Sequence, residues 1–239
     1  MMRIAIIGYG KMGKEIEKLA IERGHSIGLI IDKDDLIKLS SENLKNIDVA
    51  IEFTTPDSAY HNITICFSSN IPVVCGTTGW INKLSEVIQL CKNEGKTFFY
   101  ASNYSLGVNI LFKLNTFLAR IIDNQPTYNV HIEETHHTQK LDAPSGTAIT
   151  LAQGIIENIK RKTKLVNEDS KNENDLVINS FREGVVPGNH KIIYESTFDK
   201  IQIEHDAKGR QGLALGAILA AEYIYGKKGY FTMNDLLKL

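Results

Sequence analysis

The chain is short of several residues that would define a specialised protein. It has 3 cysteines (Cys66, Cys75 and Cys91) and no CxxC pair among its 239 residues. That excludes a disulfide scaffold and a Cys-based zinc module, and points to buried thiols in a reducing compartment. It has 5 prolines and no low-complexity tract, so an extended linker is not expected. There is no apolar run of 18 residues, and no membrane span is expected. Charge of neither sign dominates: 27 Lys and Arg stand against 28 Asp and Glu. No basic tract offers a footprint for nucleic acid or an anionic surface. The opening MMRIAIIGYGKMG runs straight from an apolar stretch into a glycine motif, and reads as strand rather than signal peptide. A cytoplasmic location is the expectation.

What is present begins with that motif. Arg3 to Ile7 is a short apolar run suited to a buried parallel strand. Gly8-Tyr9-Gly10-Lys11-Met12-Gly13 follows at once and fits GxGxxG, and Ile16, Leu19 and Ala20 then recur at helical spacing. Strand, glycine turn and helix in that order make a dinucleotide site. Gly8 serves the tight turn, Gly10 the approach of a pyrophosphate, and Gly13 close helix–strand packing. A second strand over 26–31 ends at Asp32, 19 residues after Gly13, near the offset of the acid that meets the adenosine ribose. That acid favours NADH, while Lys33 beside it offers a cation to the 2′-phosphate of NADPH. We expect both cofactors to be used, with a lean to NADH.

Strands at 48–53, 72–75 and 97–101 alternate with helices at about 57–69 and 82–93. This is the pattern of a doubly wound parallel sheet, with ligands beyond the carboxyl ends of the strands. By that rule Thr54, Gly76-Thr77-Thr78 and Ala101-Ser102-Asn103-Tyr104 join the cofactor site.

After Asn103 the pattern changes. An amphipathic helix is expected from Gly107 to Ile122 and a strand over 128–133. The loop Glu134-Thr135-His136-His137-Thr138-Gln139-Lys140-Leu141-Asp142-Ala143-Pro144-Ser145 follows, then a helix from Thr147 to about Lys160. A strand-to-helix loop is where α/β proteins place chemistry. The helix start at Ser145, Gly146 and Thr147 can hold a carboxylate or phosphate, and His136, His137 and Lys140 add proton donors and positive charge. The polar segment 162–174 reads as a surface loop. Strand-like runs at 175–181, 190–197 and 200–206 without helices between them predict an antiparallel or mixed sheet. In the last run Ile201, Ile203 and His205 share a face, which makes His205 a half-buried strand residue. An alanine-rich helix over 211–225 returns to the first domain. We therefore expect an α/β protein: a Rossmann-like doubly wound sheet (1–104 with 211–239) plus an α+β domain with a mixed sheet (105–210). No metal site is expected, since neither HExxH nor a Cys/His spacing occurs.

The run ETHHTQKLDAPSGTA, Glu134 to Ala148, resembles the signature of the 4-hydroxy-tetrahydrodipicolinate reductase (dihydrodipicolinate reductase) family. Gly8–Gly13, Phe53-Thr54, Gly76–Gly79, Ala101–Asn109 and Ile203–His205 through Gly216-Ala217 resemble family blocks in family order. The resemblance implies NADH- or NADPH-dependent reduction of a cyclic dicarboxylate toward diaminopimelate and lysine. It implies His136 as catalytic acid/base, Lys140 as proton donor, and His137 with the Gly146-Thr147 backbone as binders of substrate carboxylate. It makes residues 105–210 a substrate-binding and oligomerisation domain and implies a homo-oligomer, commonly a tetramer. The chain departs from the family in lacking a glycine- and arginine-containing insertion ahead of the strand near Ile178, and in a GYGKMG loop where GxxGRMG is usual. One rival is a non-catalytic nicotinamide-dinucleotide-sensing protein, which has no need of the HH…K…PSGT run. The other is a semialdehyde dehydrogenase, which needs a nucleophilic cysteine in the second half, whereas all three cysteines precede residue 92.

Overall fold

A computed structural model describes residues 1–35, 38–167 and 170–238. The chain divides into two compact units, Met1–Leu106 with Arg210–Leu239, and Gly107–Gly209.

The first unit is a parallel sheet of β1 (Arg3–Ile7), β2 (Ser26–Ile31), β3 (Val49–Glu52), β4 (Val73–Cys75), β5 (Thr97–Tyr100) and β11 (Gly229–Phe231) in the order β11-β5-β4-β3-β1-β2. All pairings are parallel. Successive strand residues point to opposite faces, so each face has its own core. Ile4, Ile6, Val49, Ile51, Val74 and Phe99 pack with α1 (Lys11–Glu22) and α7 (Gln211–Ile224) on one side. Ala5, Ile7, Ala50, Val73, Cys75 and Phe98 pack with α3 (Pro56–Ser68) and α4 (Leu84–Asn93) on the other. The chain crosses from β1 outward to β2 and back past β1 to β3, so the strand order reverses between β1 and β3. That reversal opens a crevice at their carboxyl ends.

The second unit is a five-stranded mixed sheet, β10-β9-β6-β8-β7. β6 (Asn129–His136) runs parallel to β8 (Asp175–Arg182) and antiparallel to β9 (Asn189–Glu195). β10 (Lys200–Asp206) and β7 (Lys164–Val166) form the edges. Helices α5 (Leu106–Ile122) and α6 (Gly146–Ile156) cover the face carrying Val130, Ile132, Leu176, Ile178, Ile192 and Tyr194.

The α/β class with its two sheets is as expected, with three differences in detail. The strand expected to end at 133 continues to His136, because Glu134 and His136 take the inward positions after Val130 and Ile132 and are polar rather than apolar. The segment 162–174, expected as a loop, contains β7, whose three residues carry no period of their own and are held by pairing with β8; positions 168 and 169 lie outside the described residues. Beyond 225 the chain adds β11 to the sheet and closes with α8 (Met233–Leu237).

Helix α7 lies so close to the turn after β5 that a Cβ at Gly216 would stand 1.8 Å from the Tyr104 carbonyl oxygen. Gly216→Ala should therefore lower stability by about 1–3 kcal/mol through overpacking, against roughly 1 kcal/mol gained in helix propensity. Denaturant unfolding checks this; a variant more stable than the parent would contradict the close packing.

Candidate active site

Of the residues expected to bind cofactor, Gly10–Gly13, Thr54 and Gly76–Thr78 share one cleft at the β1/β3 reversal. A cleft of about 480 Å³ is lined by Gly10–Gly13, Phe53–Thr54, Pro56 and Gly76–Thr78. The glycines are sterically dictated. A Cβ at Gly8 (φ +97°) would lie 2.0 Å from the Phe53 carbonyl oxygen, and one at Gly13 would lie 2.3 Å from the Gly8 carbonyl oxygen. A Cβ at Gly76 would enter the Phe53 ring at 2.2 Å. At Gly10 a Cβ would meet no protein atom within 4 Å, so protein packing does not require glycine there, and an approaching pyrophosphate would. These features fit a dinucleotide.

Asp32 follows directly on β2, whose Ile31 carbonyl accepts from the Gly8 N–H at 2.8 Å. The Asp32 carboxylate accepts from the Lys33 N–H at 2.8 Å, while the Lys33 side chain is exposed. Tyr9 donates to Glu17 and lies beside Lys14. The turn after β5 is divided: Ser102 is exposed and Asn103 half-buried, but Ala101 and Tyr104 are buried. The Tyr104 hydroxyl donates to the Cys75 carbonyl at 2.8 Å. The side chain of Tyr104, expected in the cofactor set, is thus a core group that fixes the turn.

Sequence reading passed over Glu52. It is fully buried as the last residue of β3, and among the described residues its contacts are with neutral donors. Its carboxylate accepts from Thr77 Oγ1 at 2.7 Å, Cys75 Sγ at 3.1 Å, Asn62 Nδ2 at 3.3 Å, and the Thr54 hydroxyl. Burial first, then the Glu52 charge, push the Cys75 thiol well above its ordinary value, which keeps it a donor. Thr77 Oγ1 in turn accepts from the Thr54 N–H at 2.7 Å. One buried acid therefore ties together two cleft-lining turns. Glu52→Gln places an amide among donors. It should cost about 1–3 kcal/mol and weaken reduced-nicotinamide binding roughly tenfold, measured by denaturation and fluorescence titration. Unchanged affinity would contradict the role.

In the second unit β6 delivers its inward residues to the start of α6. His136 and Glu134 are buried, and His190 and Ser145 pack against them. Glu134 Oε1 accepts from Arg182 Nη1 and Nη2 and from the Ser145 N–H, each at 3.2 Å. Its Oε2 lies 2.8 Å from His136 Nδ1, at an angle outside that of a hydrogen bond, and 3.9 Å from His190 Nε2. Arg182 also donates to the carbonyls of Lys140 and Asp142, so it anchors the loop. Lys140 Nζ meets both carboxylate oxygens of Asp142 at 2.7 Å, and that contact leads the causes holding the Asp142 carboxyl below its ordinary value. His137 is half-buried at the turn closed by the Lys140 N–H on its carbonyl. Ser145 caps α6, accepting from the Ala148 N–H at 3.2 Å, with Gly146 exposed and Thr147 half-buried in the first turn.

The expected residues His136, His137, Lys140, Gly146 and Thr147 thus sit along one strand-to-helix connection. Glu134, Arg182 and His190 were missed. The signal available was the period of two through Val130, Ile132, Glu134 and His136. Ligand atoms of Glu134, His136 and His190 lie within 4.8 Å of one another. Arg182 already supplies the cation, and the 2.8 Å contact is shorter than the separation of about 3.3 Å between tetrahedral ligands of zinc. The contacts present are those of a salt-bridged cluster.

Burial raises the Glu134 carboxyl, but contacts from His136, Ser145 and Ser180 more than reverse this and hold it well below the carboxylate range. Burial, then the neighbouring His136, push the His190 imidazole down to about 4. In acid the unfolded chain binds more protons at both groups than the folded one, so stability falls as pH falls. For His190 the window runs from about 6.5 down to about 4, and the loss is on the order of 3 kcal/mol. Urea midpoints across this range check it; a flat profile, or one unaltered by His190→Gln, would contradict it.

Comparison with known proteins agrees with this architecture. A nucleotide-cleft unit of this topology, paired with an α+β unit carrying a His-Lys loop, defines a nicotinamide-dinucleotide-dependent oxidoreductase. Family models described as dihydrodipicolinate reductase, N-terminus, and dihydrodipicolinate reductase, C-terminus, match residues 2–104 and 107–237. The chain is 50% identical to a 4-hydroxy-tetrahydrodipicolinate reductase of Christiangramia forsetii, over 99% of this chain and 98% of that one. It is 32% identical to the enzyme of the same name from Staphylococcus aureus strain MRSA252, over 98% of this chain and 100% of that one. A solved dipicolinate-bound dihydrodipicolinate reductase from Paenisporosarcina sp. TG-14 superposes with a TM-score of 0.81 at 25% identity, covering 97% of each chain. The chain belongs to the dihydrodipicolinate reductase family.

Proposed function

We infer that this chain reduces 4-hydroxy-tetrahydrodipicolinate to tetrahydrodipicolinate with NADH or NADPH, on the route to diaminopimelate and lysine. The observation that carries the reading is the connection from His136 to Thr147, which sets an imidazole, an ammonium and a helix N-terminus in one run. A dicarboxylate suits it: one carboxylate meets the Gly146-Thr147 N–H groups at the positive end of α6, with Lys140 and His137 beside it. Lys140 exchanges its Asp142 partner for substrate at modest cost, because that ion pair is largely exposed on the Asp142 side. A reduced nicotinamide, when bound, supplies the hydride. The substrate atom next to the carbon that accepts hydride becomes basic, and His136 protonates it, with Lys140 as a second donor. The sensing alternative leaves this whole cluster without a task.

Asp32 at the end of β2 supports a lean to NADH, and the exposed Lys33 leaves NADPH usable. Free buried cysteines suit the cytoplasm. Among the described residues no helix is long and apolar enough to cross a membrane. A homo-oligomer is in keeping with the family, and the absent insertion ahead of Ile178 bears on whether it is a tetramer.

The test is oxidation of reduced nicotinamide, with substrate generated in situ from pyruvate and aspartate semialdehyde by the preceding synthase. His136→Ala and Lys140→Ala should each lower turnover on the order of 100-fold with the reduced-nicotinamide Kd unchanged. Near-normal turnover in both would sink the assignment of roles, and the NADH:NADPH rate ratio in the parent reads the cofactor preference.

A further inference from the structure

Resting on that reaction, the geometry of the second unit assigns a role to the first residue of the signature run, for which the resemblance implies none. We propose that Glu134 is the positioning residue of the active site: it holds His136 with a proton on Nδ1, so that Nε2 is the atom exchanging a proton with substrate, and it fixes the carboxylate-binding loop to the same point.

Three observations carry this. Glu134 Oε2 stands 2.8 Å from His136 Nδ1. The contact is off the line of a hydrogen bond, but a carboxylate oxygen this close to an unprotonated ring nitrogen is repelled, and a small turn of the ring brings an Nδ1 proton onto it; the proximity favours a proton on Nδ1 and leaves Nε2 as the other site. Nε2 is turned toward Gly188, where a Cβ would come within 3.1 Å of it. A glycine there keeps the working nitrogen uncovered. Glu134 Oε1 meanwhile gathers the Arg182 guanidinium and the N–H of Ser145, the N-cap of α6. Arg182 continues to the Lys140 and Asp142 carbonyls. One carboxylate thereby sets the orientation of the proton donor, the path of the lysine loop and the start of the helix that receives substrate carboxylate. His190, clamped at 3.1 Å to Ser145 Oγ, packs edge-on to His136 with ring centroids 5.1 Å apart and closes the remaining side.

The experiment combines ¹⁵N NMR of the histidine rings with kinetics. In the unsubstituted protein, His136, assigned by the signal lost in His136→Gln, should show a protonated Nδ1 in its neutral form. A proton on Nε2 instead would overturn the proposal without any variant of Glu134. Glu134→Gln should lose turnover on the order of 100-fold and shift the His136 tautomer, while its amide carbonyl still accepts from Arg182 and the Ser145 N–H, holds the loop, and keeps the dipicolinate Kd within about threefold. Turnover within about threefold of the parent, or turnover and dipicolinate binding lost together with a melted second unit and an unshifted tautomer, would refute it. Should the single variant not fold, Glu134→Gln with Arg182→Gln removes both charges together; because Arg182 also anchors the loop, that variant is read by the His136 tautomer alone, and an unshifted tautomer refutes the proposal. An unsubstituted protein that oxidises no nicotinamide would overturn the assigned reaction, and the ring spectrum would still decide the tautomer.

Discussion

Burying a carboxylate is expensive, and the second unit is built around doing so. Glu134 has no exposed surface, and an isolated charge there would cost several kcal/mol. The site consists of the groups that offset that cost: a guanidinium, a backbone N–H and an imidazole, each drawn from a different segment. Removing the acid would leave Arg182 charged and half-buried, and would free the loop that Arg182 anchors. The signature run is therefore ordered by a residue at its very start, through a partner 48 positions further along the chain.

The first unit solves a related problem differently. Glu52 is equally buried at a strand end, but its donors are hydroxyls, an amide and a thiol, with no cation. Thr77 then cross-ties the turns after β3 and β4, bonding both Glu52 and the Thr54 N–H. In both units an acid at the carboxyl end of a strand fixes the loops beyond it.

The fold was legible where local periods are strong. Ile4 to Ile7, the glycine turn and the helix after it carry the nucleotide unit in contiguous residues, and Gly8 and Gly13 are glycines for reasons of packing that any sequence with this motif shares. Two of the three-residue strands were not legible: β7 and β11 exist because a neighbouring strand supplies their partners, whereas β4 carries the apolar run Val73-Val74-Cys75. The end of β6 was hidden by its own function, since inward Glu134 and His136 break the apolar alternation that marks a strand. Arg182 and His190 come from β8 and β9, and only the sheet register, His136 opposite Arg182 and Glu134 opposite His190, brings them to the loop. The burial of the Tyr104 ring was not legible either: it lies in the turn after β5 among polar residues, and its hydroxyl finds its acceptor, the Cys75 carbonyl, inside the core.

The measurement that bears most directly on this account is a crystal structure of the protein with dipicolinate and reduced nicotinamide. One dipicolinate carboxylate should accept from the Gly146 and Thr147 N–H groups and from Lys140 Nζ, with Lys140 drawn off Asp142 and the Glu134–His136 contact retained. Dipicolinate seated away from the α6 N-terminus, or a His136 ring turned away from Glu134 when ligand binds, would contradict it.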